Sequence, residues 1–161
     1  MNQLSHAIDL AEKHCQEKGK RLTKKRKIIL LALLEVKKAI SAYELVEYCK
    51  QNFNEIIPVM SVYRILDFLK DQGLAHRLGL ANKYVACSHI VCRHKYEISQ
   101  FLICDQCQCV EEISIEPSAL KSLSAAVKDN GFHLANPQLE INGICSHCFS
   151  DSEASDNNSY V

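Results

Sequence analysis

Four of the nine cysteines in this 161-residue chain stand as two matching pairs. Cys104 and Cys107 form the first Cys-x-x-Cys pair, and Cys145 and Cys148 form the second. Two thiolates separated by two residues fit within one tight turn, and two such turns can surround a single ion. Zinc accepts four sulfur ligands in a tetrahedron and has no redox chemistry of its own. The spacing therefore predicts a closed, structural zinc site, with a dithiol redox pair or free thiols as the alternative.

A second group of potential metal ligands combines imidazoles, thiols and carboxylates. Its members are His76, Cys87, His89, Cys92, His94, Glu111, Glu112 and His133. Five of them fall within residues 76–94, which favours a metal site over unrelated surface residues. Because each ligand must lose its proton and be gathered from a different segment, ion binding there would be coupled to conformation. The residues alone leave the ligand set open, and Cys92 and His133 could belong to a further site.

Three other cysteines, Cys15, Cys49 and Cys109, lie within helical or strand-like patterns. A thiol in such a position usually behaves as a small apolar side chain. We expect these three to be core or surface residues rather than ligands.

Charge is divided unevenly along the chain. Residues 1–85 carry 15 Lys/Arg and 9 Asp/Glu (15 − 9 = +6), and residues 86–161 carry 4 and 10 (4 − 10 = −6). A basic half joined to an acidic half indicates one part that meets a polyanion and one with another task. The longest apolar run, residues 28–34, is far shorter than the ~20 residues that span a bilayer, and the amino terminus lacks the form of a secretory signal. We expect a soluble, cytoplasmic protein with no membrane partner.

Helical periodicity dominates the basic half. Thr23 is a candidate N-cap, Ser41 and Glu44 have the spacing of a capping box, and Gly73 is suited to end a helix. Apolar spacing predicts an inward stripe of Ile28, Leu31 and Leu34 on the second helix, and of Val62, Ile65, Leu66 and Leu69 on the fourth. The predicted elements are helices up to residue 16 and over 24–36, 42–53 and 61–72, then a hairpin of strands 74–78 and 83–87 around residues 79–82. Short helices closed by a two-stranded ribbon are typical of a winged helix-turn-helix domain.

The acidic half shows a different pattern. Strands are predicted over 101–104 and 110–115, around the first cysteine pair. Pro117 suits the first position of a helix over 119–128 that Asn130-Gly131 would end. An alternating strand over 138–145 leads to the second cysteine pair. We therefore predict an α+β protein with a winged-helix DNA-binding domain (1–86), a hinge and metal-binding loop (87–98), a small α/β dimerisation domain (99–149) and a disordered tail (150–161).

Candidate DNA contacts lie in the basic run of residues 21–27 and on the fourth helix. Cations next to a helix-turn-helix favour phosphate contact, which gives affinity without sequence preference. Arg64 lies off the apolar stripe and can present two donors to a guanine in the major groove. The predicted contacts are Arg21, Thr23, Lys24, Lys25, Arg26, Tyr43, Ser61, Tyr63 and Arg64.

The motifs of a zinc-dependent enzyme do not occur in the sequence. Nucleobase deaminases pair an H-x-E with a P-C-x-x-C motif, but Ile103 and Ile144 precede the two cysteine pairs here. The sequence also shows no Ser/His/Asp order and no Gly-rich phosphate loop. We expect no enzymatic activity and no small organic substrate.

Several of these segments together resemble the ferric uptake regulator superfamily. The likeness covers about residues 4–149 and includes Arg21-Leu-Thr-x-x-Arg26, residues 40–45, Ser61-Val-Tyr-Arg64 and both cysteine pairs. Within the superfamily the sequence is most similar to the zinc uptake regulators. Residues 40–43, Leu66-Asp-Phe-Leu69, Asn82-x-Tyr-Val-x-Cys87 and Cys107-x-x-Val-x-Glu112 carry that preference.

The resemblance implies a homodimer that binds palindromic operator DNA. It implies that the cysteine quartet is a structural zinc site, and it places regulatory zinc ligands on His76, Cys87, Glu112 and a histidine before Phe101. The expected histidine position holds Glu97, so His94 is assigned as the fourth ligand, with His89 as the second choice. Cys92, Glu111 and His133 are the other alternates, and two zinc ions per chain follow.

The function that the resemblance implies is a zinc-responsive transcriptional repressor of zinc-uptake genes. One thiolate and two imidazoles suit zinc better than iron(II) or manganese(II). Iron-type regulators carry a His-rich run where this chain has Glu97-Ile-Ser-Gln-Phe101. An iron or peroxide sensor of the same superfamily, and a DNA-binding protein switched by thiol oxidation, are the alternatives.

Overall fold

The computed structural model describes residues 3–79, 81–88, 90, 99–135 and 138–150. The chain divides into two compact units, Met1–His94 and Lys95–Val161. The division falls inside the predicted hinge, and the domain boundaries after 86 and 98 remain predictions. Within the described ranges, no helix has both the length and the apolar character needed to cross a bilayer.

The first unit contains four helices followed by a hairpin. The elements are α1 (Gln3–Glu17), α2 (Lys24–Val36), α3 (Ala42–Phe53), α4 (Val59–Asp71), β1 (Ala75–Leu78) and β2 (Lys83–Ala86). The two strands pair antiparallel, and Ile40 forms an isolated bridge to Tyr84 that ties the segment before α3 to the hairpin. This order confirms the winged helix-turn-helix expected from the sequence.

A local capping signal explains where helix α3 begins. Ser41 Oγ accepts from the Glu44 N–H at 3.2 Å and Glu44 Oε2 accepts from the Ser41 N–H at 2.7 Å, so the capping box is confirmed. Thr23 occupies the N-cap position of α2, but its side chain makes no capping hydrogen bond. Helix α4 begins at Val59 after Pro58, two residues earlier than predicted.

The inward face was predicted correctly for α4 and incorrectly for α2. Val62, Ile65, Leu66 and Leu69 are all buried. In α2 the buried residues are Ile29, Leu30, Ala32 and Leu33, whereas the predicted stripe of Ile28, Leu31 and Leu34 is only half-buried. Because residues 28–34 are apolar without interruption, the spacing of apolar residues does not distinguish one face of the helix from another. The packing of neighbouring helices decides which face is buried.

In its described part the second unit contains a small sheet and a 13-residue helix, which confirms the α+β class. The elements are β3 (Gln100–Cys104), β4 (Val110–Ile113), α5 (Pro117–Asp129) and β5 (Glu140–Gly143). Strand β3 lies in the middle, antiparallel to β4 and parallel to β5. Ser150, assigned from the sequence to the disordered tail, instead belongs to a helical turn over residues 146–150.

Candidate metal centres and nucleic-acid interface

The β3–β4 hairpin and the end of β5 carry five cysteines. Cys104 ends β3, Cys107 lies in the turn, and Cys109 immediately precedes β4. Because β5 runs parallel to β3, with Gly143 opposite Cys104, the chain leaves β5 at the same edge and brings Cys145 to the hairpin. The N–H of Asp105 donates to the Gly143 carbonyl at 2.9 Å and holds the two segments together.

The sulfur atoms are spaced as a zinc site requires. One metal-ligating atom from each of Cys104, Cys107, Cys109 and Cys145 lies within 4.8 Å of the others, and Cys107 Sγ is 3.7 Å from Cys145 Sγ. A tetrahedron with zinc–sulfur bonds of ~2.3 Å has edges of about 3.8 Å. Cys148, the fourth predicted ligand, lies outside this group of four, and a hydrogen bond with Cys145 raises the pKa of its thiol to about 12. The eight cysteines in the described part of the chain form no disulfide.

Backbone amides favour the thiolate form at the hairpin. The N–H groups of Cys145, Cys107 and Gln106 donate to Cys104 Sγ and lower its pKa to about 6. The N–H and the thiol of Cys109 donate to Cys107 Sγ and lower the pKa of Cys107. Gln108 has a φ of +61°, the left-handed turn that separates these two cysteines. Because thiolates are the form that binds metal, this donor set fits zinc.

Cys109, expected from the sequence to be a core or surface residue, lies within 4.8 Å of the sulfurs of Cys104, Cys107 and Cys145. A hydrogen bond with Cys107, together with burial, raises the pKa of Cys109 to about 12. The spacing Cys104-x-x-Cys107-x-Cys109 was the available signal, since a third thiol follows the pair by two residues. Cys15 and Cys49 are fully buried, as predicted, and burial raises the pKa of both thiols.

Two of the predicted regulatory ligands lie on the hairpin of the first unit. His76 of β1 pairs with Val85, and the N–H of Cys87 donates to the Leu74 carbonyl at 3.0 Å just beyond β2. Since residues two apart on a strand share a face, His76 and Cys87 are diagonal neighbours on one face of the hairpin. Cys87 is buried and His76 is half-buried.

The predicted carboxylate ligand lies on β4 of the second unit. Glu112 is half-buried, pairs with Phe101 across the sheet and accepts a hydrogen bond from Ser99 Oγ. The alternates Glu111 and His133 are exposed. His89, Cys92 and His94 lie outside the described residues, so their roles remain predictions.

Helix α4 presents polar and aromatic side chains opposite its buried stripe. Arg64 is exposed, and Ser61 and Tyr63 are half-buried. The Tyr63 ring packs edge-on against Tyr43 of α3, with centroids 6.4 Å apart, and Tyr43 is 68% exposed. The predicted contacts on the two helices therefore form one continuous surface of the winged helix.

Three cations of the basic run have intramolecular partners, among them Lys27, whose Nζ lies 2.8 Å from Glu12 Oε1. Lys24 Nζ lies 2.7 Å from Glu55 Oε1. The Arg26 guanidinium lies 3.5 Å from the centre of the Phe68 ring on α4 and donates to the Arg21 carbonyl at 2.6 Å. Arg26 thus packs the start of α2 against α4, while Arg21, Thr23 and Lys25 are exposed. Arg21, Thr23, Lys24, Lys25 and Arg26 all remain predicted DNA contacts.

A winged helix and a separate α+β unit with a thiol-rich metal centre define a metal-dependent DNA-binding protein. Residues 17–142 match the Ferric uptake regulator family. The chain belongs to this family.

Two relatives show how the chain compares with named members. It is 34% identical over 140 residues to the Zinc uptake regulation protein of Escherichia coli (strain K12), covering 86% of this chain and 78% of that protein. It is 30% identical over 134 residues to the Ferric uptake regulation protein of Synechococcus elongatus, covering 82% of this chain and 88% of that protein.

Solved structures give the same comparison in three dimensions. A zinc uptake regulator in complex with zinc and DNA aligns with a TM-score of 0.81 and 28% identity, over 95% of this chain and 99% of that one. Holo XcZur aligns with a TM-score of 0.72 and 32% identity, over 89% of this chain and 96% of that one.

Proposed function

We propose that this protein is a zinc-responsive transcriptional repressor that binds palindromic operator DNA as a homodimer and represses zinc-uptake genes when zinc is replete. The observation that carries the proposal is the position of His76 and Cys87 side by side on the hairpin of the winged helix. Metal ligands on the wing couple the metal to the element that meets DNA. The likeness to a regulator solved with zinc and DNA supports this function.

We assign two zinc ions to each chain. Cys104, Cys107, Cys145 and Cys148 are the proposed ligands of the structural ion. The proposed regulatory ligands are His76, Cys87, His94 and Glu112, with His89, Cys92, Glu111 and His133 as alternates. Four sulfurs leave no open coordination position, which suits a structural role, whereas a mixed set of nitrogen, sulfur and oxygen ligands suits an exchangeable ion.

Residues of this chain can couple zinc binding to DNA binding. Zinc, when bound, supplies positive charge that favours the thiolate and the neutral imidazole. Cys87, as a thiolate, and His76, through a ring nitrogen, would hold the ion and would thereby restrain both strands of the wing. With the wing restrained, Arg64 on α4 is presented to the major groove, and two copies read the two halves of a palindrome.

The apolar face of the second unit supports the homodimer. Leu102 of β3 lies opposite Ile141 of β5, and both are at least 40% exposed, as is Ile144. Contiguous exposed apolar side chains on a sheet usually mark a protein interface. We propose that a second copy of this chain covers them.

The test is zinc content per chain combined with operator binding. The wild-type protein is expected to hold two zinc ions, one resistant to mild chelation, and to bind operator DNA only when the second is restored. Cys87→Ser should retain the resistant ion and lose the zinc response. Cys49→Ser, which changes a buried thiol outside both ligand sets, is the matched control and should respond as the wild type does.

Three outcomes would contradict the proposal. A single tight ion per chain would remove the regulatory site. DNA binding promoted by iron(II) or manganese(II) but not by zinc would identify an iron or peroxide sensor. Loss of DNA binding on mild oxidation with both zinc ions retained would identify a thiol switch.

A further inference from the structure

We infer that Cys109 is an alternative fourth ligand of the structural zinc, able to take the place of Cys148. The inference rests on the proposed zinc site and adds a residue to it. It gives the site five sulfurs for four coordination positions, so that two ligand sets share Cys104, Cys107 and Cys145 and differ in the fourth member.

The positions of the sulfur atoms are the main argument. Cys104, Cys107, Cys109 and Cys145 already lie within 4.8 Å of one another, pair by pair. Contraction to the edges of about 3.8 Å in a zinc–sulfur tetrahedron needs movements of roughly 1 Å or less. Changes of side-chain rotamer supply movements of this size without unfolding the hairpin.

The backbone fixes Cys109 firmly at this place. Its carbonyl accepts from the Cys104 N–H at 3.0 Å, and its own N–H donates to Cys107 Sγ. Both contacts belong to the hairpin that also carries Cys104 and Cys107, so three of the four sulfurs come from one rigid element. Cys145 is tied to the same element, because its N–H donates to Cys104 Sγ at 3.4 Å.

Cys148 is the ligand with the weakest backbone support. It lies in the helical turn over residues 146–150, outside the sheet. Within this turn the Phe149 N–H donates to the Cys145 carbonyl at 2.9 Å, and the Ser150 hydroxyl donates to the Ser146 carbonyl at 2.9 Å. Opening this one turn removes Cys148 from the cluster and leaves Cys104, Cys107, Cys109 and Cys145 in position.

The exchange conserves charge and ligand number. In the second ligand set Cys109 would be the thiolate and Cys148 would carry the proton, each exchanging its proton with solvent. Either set would hold the ion with four thiolates. The second unit therefore keeps its zinc when Cys148 is removed or chemically modified, and the turn over residues 146–150 can move without loss of the metal.

The first experiment compares zinc content and zinc K-edge X-ray absorption of full-length variants. Cys148→Ala is expected to retain the chelator-resistant ion with four sulfur neighbours at ~2.3 Å. Cys109→Ala is expected to do the same through Cys148. The double variant Cys109→Ala/Cys148→Ala should lose the resistant ion or hold it with three sulfurs and one lighter atom.

The double variant Cys104→Ala/Cys107→Ala separates failure of this inference from failure of the zinc site itself. It leaves only three of the five sulfurs, those of Cys109, Cys145 and Cys148, so this variant should lose the resistant ion. Retention of four sulfur neighbours in Cys104→Ala/Cys107→Ala would overturn the proposed structural site. Loss of the ion in both this double variant and Cys148→Ala would keep the site and overturn the role of Cys109.

A second measurement starts from the folded wild-type protein, so its main outcome does not depend on a substitution. Zinc-loaded protein is treated with N-ethylmaleimide, and modified cysteines are identified by mass spectrometry while zinc release is followed with a chelating dye. Chains modified at Cys148 should retain the resistant ion, and the same modification in Cys109→Ala should release it. Release in step with Cys148 modification in the wild type would overturn the inference.

Discussion

In the first unit, 19 buried residues from all four helices, the following hairpin and the connecting segments form one continuous core. In the described part of the second unit, the buried residues are Gln100, Phe101, Ile103 and Cys104, all on β3. Helix α5 has no buried residue. Seven large apolar side chains of this unit are exposed: Leu102, Leu123, Phe132, Leu134, Ile141, Ile144 and Phe149.

The difference indicates what each unit needs in order to fold. A core of 19 residues is sufficient for a small helical domain, whereas a sheet with four buried residues is not. Small units without a sufficient core depend on metal ions or on association with another chain. The thiol cluster at one edge of the sheet and the exposed apolar residues on its strands are suited to these two roles, so we expect metal binding and dimerisation to stabilise the second unit.

Removal of the structural zinc is expected to have the largest effect. It tests most directly whether the second unit depends on metal for folding while the first does not. Structural zinc in small peptides contributes about 10–16 kcal/mol of apparent binding free energy, which becomes folding free energy. Strong chelation should therefore unfold residues 99–150 and leave the first unit folded. Hydrogen exchange followed by mass spectrometry measures this, with protection lost in β3 and β5 and retained in α2 and α4. Equal loss of protection in both units would contradict it.

Truncation in the core of the first unit should have the converse effect. Leu30 is fully buried, so Leu30→Ala should lower the free energy of unfolding by about 2–5 kcal/mol without changing the chelator-resistant zinc. Leu31→Ala is the matched control, since Leu31 is only half-buried and should cost clearly less. Chemical denaturation followed by circular dichroism gives both values. A larger cost for Leu31 would show that the opposite face of α2 packs inward.

Substitution of Arg64 should alter DNA recognition and leave the stability of both units unchanged. Because Arg64 is exposed on α4, Arg64→Ala should cost about 1–3 kcal/mol of discrimination between operator and scrambled DNA. Lys25→Ala, in the basic run, should weaken binding to both DNAs alike and reduce the salt dependence. Binding isotherms at several salt concentrations separate the two effects. Equal losses on both DNAs for Arg64→Ala would make Arg64 a phosphate contact.

The capping box of α3 should give the smallest effect. Ser41→Ala removes the acceptor for the Glu44 N–H and should cost about 1 kcal/mol, measured by thermal unfolding. Hydrogen bonds from Ser41 lower the pKa of Glu44 below its ordinary value of 4.5. The stabilisation by this carboxylate is therefore complete above pH ~4.5 and is lost as the pH falls through the lowered pKa. An unchanged melting temperature at neutral pH would contradict the prediction.

Local signals predicted much of the fold because their causes lie within a few residues. The Ser41 capping box, the Gly73 stop and the Asn130-Gly131 end of α5 all occur where the sequence indicated. The buried face of α2 was not predictable in the same way, because residues 28–34 are all apolar and no polar residue among them marks the outward face. The proximity of the Cys109 sulfur to three other thiols was also missed, because it arises only when the hairpin folds.

The sequence by itself determined the two cysteine pairs, the division into a basic and an acidic half, and the family. These properties follow from residue types and short spacings, which the chain carries before it folds. Only the tertiary structure decided which thiols meet and which face of α2 is buried. The parallel pairing of β5 with β3 brings Cys145 to a hairpin about 40 residues earlier in the sequence. Such contacts depend on strand order and packing, which spacing along the chain does not encode.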